Sequence, residues 1–365
     1  MPLVPLPRPA RAARALAALA AVPLLLLLGT ACSPETEPNP IASAPGVRPA
    51  ERDITFTSGP DTLHGTFALP PEAGEGLPAA LIVSGSGPTD RDGDNPARPD
   101  AGTNENLARV LADAGVASLR YDKFGSGDTG TASRGPDAPV DYDVFADEVA
   151  AAYAFMAEQP EVDPERLVVI GHSEGALFAL RAHELAGATP PAALVLAAPP
   201  GRRYLDVLDR QVTEQVRQAE AAGSLGFTEA DQMLSDTRYA IASVRDGEVP
   251  DLDPGSPLGG VLEPRTAPFL RTADAMDPVD LAREVPGDIP VLVLWGTADS
   301  QIPDTDVDRL MTGLPRAERV DLEGADHVLR MYDDAPGAPV LDAQRRFSPD
   351  VAPALVGFLE ESVGL

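Results

Sequence analysis

The chain has 365 residues, with 57 Asp and Glu against 28 Lys and Arg and a formal net charge of −29. Such a surface repels phosphate backbones, which excludes nucleic acid as a partner. One cysteine allows no internal disulfide, and the four histidines show no Cys/His spacing for a metal, so neither metal nor cofactor is expected.

Arg8, Arg11 and Arg14 precede an apolar stretch from Ala15 to Gly29 and then Thr30-Ala31-Cys32, the layout of a secretory signal peptide over residues 1–31. The stretch is short for a membrane span and is interrupted by Pro23. A small pair followed by Cys32 resembles a bacterial lipoprotein cleavage site, although Gly29 stands where a leucine is usual. That resemblance implies lipid on Cys32 and an exported protein anchored to a membrane of the cell envelope; free secretion is the alternative. Losing the three arginines takes the formal charge from −29 to −32. Residues 32–50 are rich in Pro, Ser and Ala and read as a tether.

From residue 51 onward, short apolar runs alternate with helical patterns, which implies a parallel sheet covered on both faces. Thr62 to Leu69 alternates as an early strand and makes His64 structural. The strand Ala79 to Val83 ends in Ser84-Gly85-Ser86-Gly87, a small-residue loop whose free backbone N–H groups could stabilise an oxyanion. It has neither the G-K-[ST] ending of a phosphate loop nor a G-x-G-x-x-G opening a helix. Asp90 to Asn95 resembles a calcium loop only superficially, without its twelfth-position Glu or flanking helices. A helix near Asn104 to Ala114 and a strand from Ala117 to Tyr121 follow, and the loop after it reads as scaffold, with Lys123 pairing a carboxylate. Tyr142 to Glu158 is predicted helical and Leu167 to Ile170 a buried strand.

Gly171-His172-Ser173-Glu174-Gly175 then places a serine where that strand turns into a helix, the setting of a nucleophile elbow. A further strand spans Ala193 to Ala197, and between Gly201 and Pro286 charged helical segments such as Tyr204 to Ala222 and Thr228 to Arg245 read as an inserted cap, about residues 202–286. Ligands bind at the carboxyl ends of the strands in open α/β sheets, which gives that cap a substrate-facing place. Serine needs a base. His64, His172 and His183 lie in a strand, in the elbow and in the helix after it, whereas His327 follows the strand Arg319 to Leu322 near the chain's end. The acid should follow another buried strand. Asp299 does so, after Pro290 to Trp295, which selects it over Asp304, Asp306 and Asp326.

These motifs, together with Gly296 to Pro303 and Gly324-Ala325-Asp326-His327, make residues 51–365 resemble an α/β-hydrolase of the esterase and serine aminopeptidase-like branch. The resemblance implies an α/β fold, a mostly parallel sheet with helices on both faces and an inserted helical cap. It also implies an oxyanion hole from the N–H groups of Ser86 and Glu174. The expected function is hydrolysis of small-molecule carboxylic esters by Ser173, Asp299 and His327 through an acyl-enzyme. Aminopeptidase and acyltransferase activities share every motif named. A non-catalytic envelope lipoprotein is the other alternative, and it has no need to keep all three side chains.

Overall fold

A computed structural model describes residues 49–365 except 135–139, 188, 251, 253–257, 260 and 263. The expected signal segment, Cys32 and nearly all of the tether lie outside the described residues.

Strands that are apolar at every position must be covered on both faces, and here they form one eight-stranded sheet. Its strands are β1 (Ala50–Ser58), β2 (Asp61–Leu69), β3 (Leu77–Val83), β4 (Ala117–Tyr121), β5 (Val162–His172), β6 (Ala193–Ala197), β7 (Val291–Gly296) and β8 (Glu318–Leu322). Their order is β1-β2-β4-β3-β5-β6-β7-β8. β1 and β2 pair antiparallel, β2 joins β4 antiparallel, and the remaining pairs are parallel. The expected α/β-hydrolase architecture is therefore borne out.

The alternation of side chains along each strand divides the core into two layers. Leu81, Val83, Leu167, Val169 and Leu196 face one layer, under α2 (Tyr142–Ala157) and α3 (Gly175–Leu180). Ala80, Ile82, Val168, Ile170 and Val195 face the other, under α1 (Thr103–Asp113) and α10 (Val351–Val363). α4 (Ala182–Leu185) is a single turn after α3.

Two differences from the sequence reading have simple causes. β5 begins at Val162, five residues before its apolar run, because Leu77 pairs with Val162 through a register shift while Asp163 to Arg166 stay at the surface. β1 was not expected. It is an edge strand whose burial alternates, paired in the sheet with β2 alone among the described residues.

Between β6 and β7 lie α5 (Tyr204–Ala221), α6 (Phe227–Arg245), α7 (Ala267–Ala275) and α8 (Pro278–Glu284). α5, α6 and α7 pack on one another, whereas α8 packs on α3 and on α9 (Asp304–Met311). One buried carboxylate ties the three together: Asp274 on α7 accepts from Leu205 N (2.9 Å), Arg203 Nη2 (2.8 Å) and Arg245 Nε (2.8 Å). The start of α5 is thereby fixed over the sheet. Among the described residues no helix is long and apolar enough to cross a membrane.

Candidate active site

β5 ends at His172 and α3 starts at Gly175, so the chain must turn within two residues, Ser173 and Glu174, and Ser173 does so at φ +53°. A non-glycine residue there is strained. The strain is held by the Ser173 N–H donating to Ala197 O at 2.8 Å, which fastens the elbow to the end of β6. Gly171 is required by close approach, since a Cβ there would sit 2.2 Å from Gly175 O.

The loops after β7 and β8 deliver the other two side chains. His327 Nδ1–H donates to Asp299 Oδ2 at 2.8 Å, and the Ser173 hydroxyl donates to His327 Nε2 at 3.0 Å. Asp299 is 7% exposed, and its Oδ1 accepts from Gln301 N (2.7 Å) and Ile302 N (2.9 Å). The loop's own backbone thus fixes the carboxylate. The structure brings Ser173, Asp299 and His327 together and sends the competing acids elsewhere. Asp304 pairs with Arg319; Asp306, fully buried, pairs with Arg202 at 2.5 Å. Asp326 holds Arg98 (2.9 Å), Arg345 (2.8 Å) and the N–H groups of Val328 and Arg330. It shapes the loop that carries His327.

His172 proves to be more than a member of the elbow. Its Nε2–H donates to the His327 carbonyl at 2.8 Å, and burial holds its pKa down to about 4, so it is a neutral donor beneath the candidate base. Its neighbours in sequence give no sign of this role, because His327 is 155 residues away.

The loop after β3 lies against the elbow so closely that a Cβ on Gly85 would be 3.2 Å from Ser173 Cβ. Ser84 Oγ donates to Asp90 O (2.8 Å) and accepts from Asn104 Nδ2 (2.9 Å). Thr89 Oγ1 donates to Ser86 O at 2.8 Å. The acidic turn that follows spends its carboxylates internally: Asp90 accepts from Asp92 N and Asp94 N, Asp92 from Arg120, and Asp94 from Gly102 N. Burial pushes Asp94 up to about 7. Among the described residues no group of three or more His, Cys, Asp or Glu could hold a metal ion.

Lys123 was expected to pair a carboxylate, and the hydrogen bond that it makes is instead to a backbone carbonyl. It is buried, its ammonium donates to Gly85 O, and Glu174 and Glu148 face it. Tyr204, the first residue of α5, was also missed; its hydroxyl faces the side chains of Glu174 and Ser86. The only available signal was an aromatic residue opening the cap helix. Ser86, Ser173, Glu174 and His327 line a common cavity of about 70 Å³, walled by Leu177, Tyr204, Val207, Leu208 and Ile302.

An eight-stranded sheet of this order, with a serine elbow after β5, an aspartate after β7 and a histidine after β8, defines the α/β-hydrolase class. Within it the chain belongs to the family described as Serine aminopeptidase, S33, whose model matches residues 100–331. It is 32% identical over 160 residues to an uncharacterised protein of Mycobacterium tuberculosis, covering 44% of this chain and 50% of that one. To the esterase EstD of Thermotoga maritima it is 26% identical over 276 residues, covering 74% of this chain and 57% of that one. The chain thus spans about half the length of the curated relatives it matches. Among solved structures it is similar in fold to Est1E of Butyrivibrio proteoclasticus with ferulic acid bound, with a TM-score of 0.54, 18% identity and coverage of 86% and 100%. A Pyrococcus furiosus esterase is equally similar, with a TM-score of 0.54, 15% identity and coverage of 88% and 98%.

Proposed function

We propose that the protein is an exported serine hydrolase of carboxylic esters. The observation that carries this reading is the hydrogen-bonded series Asp299–His327–Ser173, at 2.8 and 3.0 Å, opening into a mainly apolar cavity. Ser173 Oγ attacks the acyl carbon while His327 Nε2 takes its proton, and Asp299 stabilises the imidazolium that forms. The carbonyl oxygen becomes an oxyanion held by the N–H groups of Glu174 and Ser86. As the acyl–oxygen bond breaks, His327 gives its proton to the departing alcohol. Water then repeats the sequence on the acyl-enzyme, releasing the acid and restoring Ser173. EstD and the two structurally similar esterases support ester chemistry over peptide or transfer chemistry.

Three variants test this with p-nitrophenyl acetate and butyrate. Folded Ser173→Ala and His327→Ala should each lose about 10⁴-fold or more in kcat, with the double variant little worse, because nucleophile and base act as a unit. An organophosphonate should label Ser173, as peptide mapping would reveal; labelling of Ser84, Ser86 or Ser300 instead would refute the assignment.

We also propose that residues 1–31 are removed and that Cys32 carries lipid, anchoring the enzyme to an envelope membrane through the tether. The supporting feature is Thr30-Ala31-Cys32 after the apolar stretch. Mass analysis of the native amino terminus decides it: an unmodified Cys32, or cleavage elsewhere, would sink the idea.

A further inference from the structure

Among the described residues lining the cavity that holds Ser173 and His327, Arg202 is the only arginine or lysine. The chain on either side of it is pinned. Arg309 Nη1 donates to Gly201 O, a Cβ on Gly201 would sit 1.7 Å from Asp306 O, and Arg203 Nη2 donates to Asp274 at 2.8 Å. The guanidinium itself is oriented through Nε, which donates to Oδ1 of the fully buried Asp306 at 2.5 Å. Its Nη1 and Nη2 bond to nothing among the described residues. An arginine held side-on by one carboxylate keeps its forked end open, and that fork only donates, in a spacing that matches the two oxygens of a carboxylate.

A second carboxylate on one guanidinium is a recurring arrangement in this chain. Arg98 holds both Asp326 and Asp342, and Arg245 holds both Asp206 and Asp274. Gln211 and Gln301 line the cavity as well, and their side-chain amides make no hydrogen bond among the described residues, so further donors face the same space. The cavity's one acid outside the triad, Glu174, follows β5, whereas Asp306 lies on α9 after β7, two strands on. Asp306 thereby draws the guanidinium to the β7 side of the nucleophile, away from that carboxylate. In a chain of net charge −29, an anionic substrate needs a local cation of this kind.

We propose that Arg202 determines specificity by binding a carboxylate of the substrate, so that the esters cleaved are half-esters of dicarboxylic acids or esters of hydroxy acids. The proposal rests on the ester-hydrolase reading above and names the substrate class for the same site.

Two pairs of esters test it, each pair differing only by a carboxylate or its isosteric primary amide. Monoethyl glutarate and its amide place the group on the acid, with ethanol release measured; the acetate esters of γ-hydroxybutyrate and of its amide place it on the alcohol, with acetate release measured. In at least one pair the wild-type kcat/KM should favour the carboxylate by about tenfold or more, and the pair that does so tells which half of the ester carries it. Arg202→Met should bring that ratio to about one. Should this variant fail to fold because Asp306 is left buried without a partner, Arg202→Met combined with Asp306→Asn removes both charges and should lower the ratio equally. Asp306→Asn alone gives up the competing acid but keeps the guanidinium, and should hold or raise the ratio, which a merely structural ion pair would not do. Equal rates or a preference for the amide in both pairs, a carboxylate preference that survives loss of Arg202, or a ratio that Asp306→Asn abolishes would each overturn the proposal. Turnover of p-nitrophenyl acetate with none of the four esters cleaved would overturn it too. No turnover of any ester, p-nitrophenyl acetate included, would instead defeat the ester-hydrolase reading, so the two failures are distinguishable.

Discussion

His172 shows how a single buried side chain ties chemistry to stability. It is neutral in the folded protein, with a pKa near 4 against an ordinary 6.5, because burial and the neighbouring His327 disfavour its charge. In the unfolded chain it takes a proton below about pH 6.5, so protons favour unfolding. Its contribution is full above that pH and is lost as the pH falls toward 4, a loss on the order of 3 kcal/mol. Asp326 and Asp342, whose carboxyls are held below their ordinary value against opposing burial by Arg98 and Arg345, surrender their share only at still lower pH. Urea unfolding of His172→Gln between pH 7 and 4.5 should therefore show a shallower fall in stability than the wild type; equal slopes would mean that His172 is protonated in the fold. Asp299 and Asp326, on the loops after β7 and β8, should separate as well. Asp299→Asn should cost about 10⁴ in kcat with stability nearly kept, since it changes the tautomer offered to His327. Asp326→Asn should cost about 2 kcal/mol of stability, because Arg98 and Arg345 lose a carboxylate in a buried place. The reverse pattern in paired activity and unfolding assays would exchange their roles. Ser173 was legible because it follows an apolar strand, and His327 because it follows the last strand near the chain's end. Tyr204 and Lys123 were not, since their partners Ser86, Gly85 and Glu174 come from other elements.

At the scale of elements, the elbow depends on backbone packing that no side chain supplies. β5, the turn and α3 meet where a Cβ on Gly171 would lie 2.2 Å from Gly175 O and 2.6 Å from Ala176 Cα. Backbone cannot yield as a flexible side chain does, so Gly171→Ala is expected to cost about 3 kcal/mol or more and to displace Ser173. A combined measurement of urea midpoint and phosphonate labelling rate checks this; a variant of native stability with a native labelling rate would show that the elbow relaxes freely. The central strands could be read from sequence because each is apolar at nearly every position. β1, α7, α8, α9 and α10 were not predicted. β1 alternates in burial at the sheet edge, α8 and α9 are short, and α10 acquires its cover from α1 and from β6 and β7.

For the whole molecule, the dominant fact is an excess of negative charge, −29 over the chain. Arginines are drawn into clusters with several acids each, as Arg319 is with Asp304, Asp308 and Asp321, and these pairs are mostly near the surface. Surface pairs contribute little, whereas the unbalanced acids repel one another throughout the fold. Raising NaCl from about 0.05 to 1 M should thus increase Tm by about 2–4 °C, equivalent to about 1 kcal/mol. A lower Tm at high salt in calorimetry would mean that the ion pairs outweigh the repulsion.

The sequence by itself determined the parallel core, the elbow at Ser173 and the order Ser173, Asp299, His327, because these rest on local patterns: apolar runs, flanking glycines and the loops that end each strand. Only the tertiary structure decided that Asp326 braces the base loop, that His172 supports His327, that Lys123 reaches Gly85 and that Tyr204 faces Glu174 beside Ser173. Those are contacts between segments remote in the chain, and a hydrogen bond or ion pair between them leaves no periodicity in either segment. Their partners are chosen by the sheet's strand order and by the Asp274 clamp that sets α5 over it.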